Sequence, residues 1–165
     1  MNLHKIEQDL LKGLQANPTR NGARFKLPGA RTLVFDPVGA VAFVFEPLDP
    51  FRLNEKHFPF IDRCPVSEPV RDERTLLTPT GYEMTTGRNK TPVVVFNHPD
   101  GGRTYLSKKL LGYFDKGATL YQEFAFKHTG RGVKYSAAAV VEGDVIVGYI
   151  LPVRPPKTEN ETENQ

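Results

Sequence analysis

The 165-residue sequence has one cysteine, four histidines and no tryptophan. Cys64 has no partner for an internal disulfide, which fits a reducing compartment and sets aside the disulfide-stapled class of small domains. His4, His57, His98 and His128 are scattered, and none has a second histidine at i+2 or i+4. That spacing, with a single cysteine, argues against a zinc site. There is no Gly-x-Ser-x-Gly nucleophile elbow. Gly130-Arg131-Gly132 has neither the spacing nor the following helix of a phosphate loop. His98 and Asp100 flank Pro99 in a Pro-Asp-Gly-Gly turn, and turn chemistry explains them. No apolar run reaches the roughly 18–20 residues a membrane helix needs, and Met1–Glu7 is charged and amphipathic rather than a secretory leader. These absences predict a cytoplasmic, non-enzymatic protein with no metal and no cofactor.

What is present describes an ordinary globular chain. Its 39% hydrophobic and 25% charged residues are close to the average for folded domains, so wholesale disorder is not expected. The length suits one domain with a core of its own, spanning residues 1–154 with approximate halves 1–80 and 81–154. Fourteen Gly and fourteen Pro imply many turns and modest helix content.

Leu3, Ile6, Leu10, Leu11 and Leu14 recur at spacings of three and four, predicting a helix over Asn2–Gln15 that stops before Pro18. Lys5 and Lys12 fall on its opposite face. Ala23–Leu27, Arg31–Phe35 and Ala40–Phe45 read as strands. The last is apolar on both faces, the pattern of a central strand covered on each side. From Pro47 to Pro79 the periodicity dissolves into a proline-rich segment pinned by Phe51, Leu53, Phe58, Phe60 and Ile61. Arg74–Leu77 and Tyr82–Thr86 read as two short strands.

The densest patterning lies in Thr91–Arg154. It reads as a strand at Pro92–Asn97, a short helix at Tyr105–Phe114, and a meander of Thr119–Lys127, Val133–Val141 and Val145–Val153. Residues 155–165 form an acidic, polar tail expected to be disordered. The predicted class is α+β: an antiparallel sheet with two helices packed on it.

Charge is unevenly placed. Gly81–Tyr135 carries nine basic and four acidic residues, whereas Met1–Thr80 is nearly neutral. Lys108 and Lys109 open the short helix, and Lys127, Arg131 and Lys134 gather around one hairpin. Such clusters supply sequence-independent phosphate contacts whose strength falls with salt.

Tyr149-Ile150-Leu151-Pro152-Val153-Arg154 resembles the terminal strand of bacterial DNA polymerase processivity clamps, the sliding clamps. Tyr105–Phe114 followed by Ala118–Phe124 resembles the helix and next strand of a clamp's last half-domain. That family repeats strand, helix and three strands, the arrangement read for Thr91–Arg154. The resemblance covers about the last third of the chain, and the acidic tail departs from it. It implies that Lys108 and Lys109, with Lys5 and Lys12, face DNA, and that Leu151, Pro152, Val153 and Arg154 contribute to a pocket for partner peptides. A ring would take several copies of this chain, a homo-oligomer; the alternative is association with DNA without encircling it.

The leading expectation is therefore a clamp-like protein that binds duplex DNA phosphates electrostatically. Its rival is a small protein-interaction module, an inhibitor or adaptor encoded by a mobile element, acting through segment 47–79 and its Phe58 and Phe60.

Overall fold

A computed structural model of the chain describes residues 1–17, 19, 21–46, 51, 53, 55–62, 64, 71–87, 89–127 and 134–154, with the backbone alone at 123–127 and 134–136. Helix α1 (Leu3–Ala16) starts where Asn2 caps it, its Oδ1 accepting the Lys5 N–H at 3.1 Å. It ends ahead of Pro18, as the spacing predicts. Ile6 and Leu10 are buried and Leu14 packs beside them, while Leu3 and Leu11 stay exposed. The buried stripe is thus narrower than the apolar one.

Among the described residues nine strands follow: β1 (Arg24–Lys26), β2 (Thr32–Phe35), β3 (Val41–Phe45), β4 (Leu76–Thr86), β5 (Thr91–Asn97), β6 (Arg103–Ser107), β7 (Thr119–Lys127), β8 (Lys134–Glu142) and β9 (Val145–Ile150). They form one sheet in the order β1-β2-β3-β9-β8-β7-β4-β5-β6, every pair antiparallel. A single helical turn, α2 (Lys108–Leu111), follows β6 directly. The architecture is the antiparallel sheet with two helices that the sequence predicts. Among the described residues no helix is long and apolar enough to cross a membrane.

Period-two alternation sorts side chains between two layers. Val34, Val41, Phe43 and Phe45 face one way and meet Ile6 and Leu10 of α1, with Tyr113 and Phe114 just after α2. Leu33, Phe35, Ala42 and Val44 face the other way, against Phe25, Ala137, Ala139 and Tyr149. All of β2 and β3 is therefore buried, as a central strand apolar on both sides requires. Because both helices pack on the first layer, they lie side by side on one face of the sheet.

Two elements differ from expectation. Tyr105–Phe114 is not one helix: Arg103–Ser107 pairs with β5, Val95 opposite Tyr105, and only Lys108–Leu111 is helical. Leu106, Leu110, Leu111 and Phe114 imitate helical spacing, but the ladder to β5 claims the first half. Ser107 makes no side-chain cap, and Gly112 ends the turn. Likewise, Arg74–Leu77 and Tyr82–Thr86 are not two strands: Arg74 and Thr75 lie in a turn, and Leu76–Leu77 and Tyr82–Thr86 are parts of one strand, β4. Its pairing with β7 stops at Leu77 opposite Leu120, so Pro79 falls where that side is a sheet edge, a place proline is tolerated. A bulge between Pro79 and Glu83 absorbs the break. Gly81 takes φ +79° there, and the Thr80 Oγ1 donates to Val95 O at 2.8 Å in place of a ladder bond.

The described part of the proline-rich segment belongs to the core. Phe51 stacks edge-on against Phe45 at 5.2 Å, and Phe58 is wholly buried beneath the Arg24 guanidinium. Pro59 and Ile61 then bond the backbone of Arg24, so the segment covers the edge of β1. At the other end of the sheet, the Val153 N–H donates to Tyr105 O of β6 at 2.8 Å. The acidic tail, 155–165, lies outside the described residues.

Two stability outcomes follow from this packing. Phe58→Ala should lower the unfolding free energy by about 3–5 kcal/mol in urea titration, and Phe60→Ala, at a site 45% exposed, by under about 1 kcal/mol. Equal losses would contradict the burial assignment. Gly148→Ala should cost about 1–3 kcal/mol, because a Cβ there would come within 2.5 Å of Ala42 O and 2.7 Å of the Phe114 ring.

Candidate nucleic-acid interface

Four of the lysines singled out by the sequence belong to α1 and α2, which touch. The Asn2 N–H donates to Tyr113 O at 2.8 Å, tying the start of α1 to the chain just after α2. Lys5 Nζ donates to Gly112 O at 3.1 Å and sits 4.9 Å from the centre of the Tyr113 ring. Lys5 thus joins the helices rather than pointing freely outward.

Asp9 is the polar centre of this face. Its Oδ2 accepts the Tyr113 hydroxyl at 2.7 Å, and Lys109 and Lys12 lie at 3.8 and 4.0 Å from its carboxylate. The Tyr113 bond, followed by the nearby lysines, holds the Asp9 carboxyl below its ordinary 3.8. Burial, then the same hydrogen bond and the charge of Asp9, push the Tyr113 hydroxyl far above its usual value. Tyr113 therefore stays a neutral donor at any physiological pH. Lys108 makes a closer contact, 2.6 Å from Glu83 Oε2 on β4.

These partners moderate the positive face without cancelling it. Lys12 and Lys109 remain 73% and 68% exposed. Exposed ion pairs are worth about 0–1 kcal/mol, so exchanging Glu83 or Asp9 for an incoming anion costs little.

The hairpin cluster is placed only in part. Lys127 and Lys134 are register partners at the end of the β7–β8 ladder, far along the strands from α2. Their side chains and Arg131 lie outside the described residues, as does His128. The partner-binding candidates fall in two places. Phe58 is core, whereas Phe60 lies at the surface with Lys26 Nζ 5.5 Å from its ring centre. Leu151, Pro152 and Val153 are half-buried, bridging Ala40 and Tyr105 through backbone bonds, and Arg154 is exposed.

His98 shares a 2.6 Å hydrogen bond with buried Thr104, and Asp100 accepts the Gly102 N–H at 2.9 Å. Both bonds fasten the β5–β6 turn. Among the described residues no group of three or more metal-ligating side chains converges. Asp9, Tyr113 and Glu83 are the members of the face that sequence reading misses. The spacing of Asp9 to Lys12 is visible in the chain; the contacts from Tyr113 to Asp9 and from Glu83 to Lys108 are made only by folding.

Comparison with protein-family models, curated proteins and solved structures found no match for this chain.

The depressed Asp9 carboxyl has a signed consequence. Its stabilisation is complete above the ordinary value near 3.8 and is lost as pH falls through the lower folded value. Asp9→Asn should therefore destabilise the protein by about 1 kcal/mol near neutrality and flatten the acid limb of its stability profile. Thermal melts from pH 7 to pH 3 on both proteins check this; parallel profiles would contradict it.

Proposed function

We propose that this chain is a non-enzymatic, clamp-like DNA-associated protein that holds duplex phosphates electrostatically on its helical face. The observation that carries the reading is the contact between α1 and α2, which gathers Lys12, Lys108 and Lys109 on one side of the sheet. Lys12 and Lys109 reach the same carboxylate, so two ammonium groups stand close enough to bracket one phosphate. Lys5 acts from within, holding the two helices in register through Gly112. Lys127, Arg131 and Lys134 remain further candidates for phosphate contacts on the strength of the sequence alone. Among the described residues no base-reading arrangement accompanies these lysines, so affinity should depend on salt far more than on sequence.

A second reading as a protein-interaction module draws on Phe60 and Ile61, 45% and 49% exposed side by side at the edge of β1. It places the contact on Phe60 and removes Phe58 from it, since a wholly buried ring cannot reach a partner.

A salt series tests the leading reading. Affinity for a short duplex should fall linearly in log–log form with salt. Lys12→Ala with Lys109→Ala should reduce the slope by about one, at roughly 0.9 for the one phosphate they bracket. Binding that is absent at low salt, or indifferent to salt, would remove the proposal.

A further inference from the structure

The helical face also holds a cleft that phosphate contacts at its surface leave unused. It lies between α1, the turn joining β2 to β3, and the residues around α2, with a volume of about 390 Å³. That is within the range of small-ligand sites, which combine an apolar lining with a few convergent polar groups. Ala40 and Leu110, half-buried, form its accessible apolar wall over buried Leu10, Val41 and Phe43, and Val38, 62% exposed, stands at its mouth with Lys12 and Lys109.

The polar groups in this wall are not equivalent. Asp36 is occupied within its own turn, accepting the N–H groups of Val38 at 3.3 Å and Val41 at 3.0 Å. Burial also pushes its carboxyl above the ordinary value, against the backbone hydrogen bonds that lower it. The Tyr113 hydroxyl donates its one proton to Asp9. Lys5 is held by Gly112. Lys12 and Lys109 differ: at 4.0 and 3.8 Å they are paired with Asp9 by charge but lie beyond hydrogen-bond distance. Each ammonium carries three donors. With both carboxylates ionised, Lys5, Lys12, Lys109, Asp9 and Asp36 still leave one net positive charge.

We propose that this cleft binds a small amphiphilic anion, a carboxylate or sulfonate on a compact apolar body, with the acidic head between Lys12 and Lys109 and the body against Val38, Ala40 and Leu110. Charge complementarity selects the head, and the dry wall selects the body. The proposal does not rest on nucleic-acid binding, but an anion held by Lys12 and Lys109 would compete with a phosphate for the same two ammonium groups.

The probe is 8-anilinonaphthalene-1-sulfonate, titrated into the full chain by fluorescence, with decanoate as competitor and decanol as its uncharged control. Saturable binding at one site should be displaced by decanoate and not by an equal concentration of decanol. Lys12→Glu with Lys109→Glu should weaken it about tenfold or more, a step of about 1.4 kcal/mol. Val38→Asn, at the exposed mouth of the cleft and outside both helices, should weaken the body's contact severalfold while leaving both lysines and duplex affinity unchanged. Melting curves confirm that each variant stays folded. Absence of saturable binding, equal displacement by decanol, or binding unaltered in either variant would overturn the site. Duplex affinity measured on Val38→Asn separates that failure from failure of the nucleic-acid reading.

Discussion

The pairing of β3 with β9 is the contact from which the rest of the structure takes its position. It joins Val41–Phe43 to Gly148–Ile150, strands from opposite ends of the chain, in the middle of a sheet buried on both faces. Such a pairing closes a very long loop, so its entropic cost must be met by burial rather than by local preference. Gly148 sets its closeness: the Phe114 ring occupies the space a side chain would need. Phe114 and its neighbour Tyr113 in turn pack on Phe43, at 5.9 and 5.5 Å between ring centres. From Tyr113 the chain of contacts reaches Asp9 and the start of α1. The lysines of the helical face are therefore positioned by the core beneath them.

The ends of the sheet are managed by the same chain. Residues 59–61 lie along β1, and the extended residues after β9 meet β6. Capping an edge with the protein's own backbone removes a template on which another chain could add. The Met1 ammonium adds a further tie, 2.8 Å from Glu142 and 3.0 Å from Asp115, which links the start of α1 to the β8–β9 turn.

Much of this was legible in the residues, and the rest for a physical reason was not. Alternation marks β2, β3, β5 and the β7–β9 meander, because a half-buried or fully buried strand must sort its side chains by parity. The 3.6-residue period marks α1. Strand order is different: nothing local tells β4 to sit between β7 and β5, or β3 to pair with β9. The same blindness explains Arg103–Ser107, whose leucines fit a helix locally and whose ladder partner, Val93–Asn97, is separated by a turn. In Phe58, aromatic character was readable but its depth was not. At the site, the lysines were visible as charges, while the contacts of Tyr113 with Asp9 and of Glu83 with Lys108, between residues far apart in the chain, are made only by folding.

The functional account rests on one claim, that anions meet this protein on the face built by α1 and α2. The pairs found there are weak enough to exchange, and they are held on a rigid base rather than on a loose loop. The most direct measurement is amide chemical-shift mapping of the isotope-labelled protein during titration with a short duplex at low salt. The account predicts shifts concentrated in Leu3–Ala16 and Lys108–Asp115 that fade as salt is raised. Shifts confined to Phe60–Ile61 or to Leu151–Arg154, or no shifts at all, would contradict it.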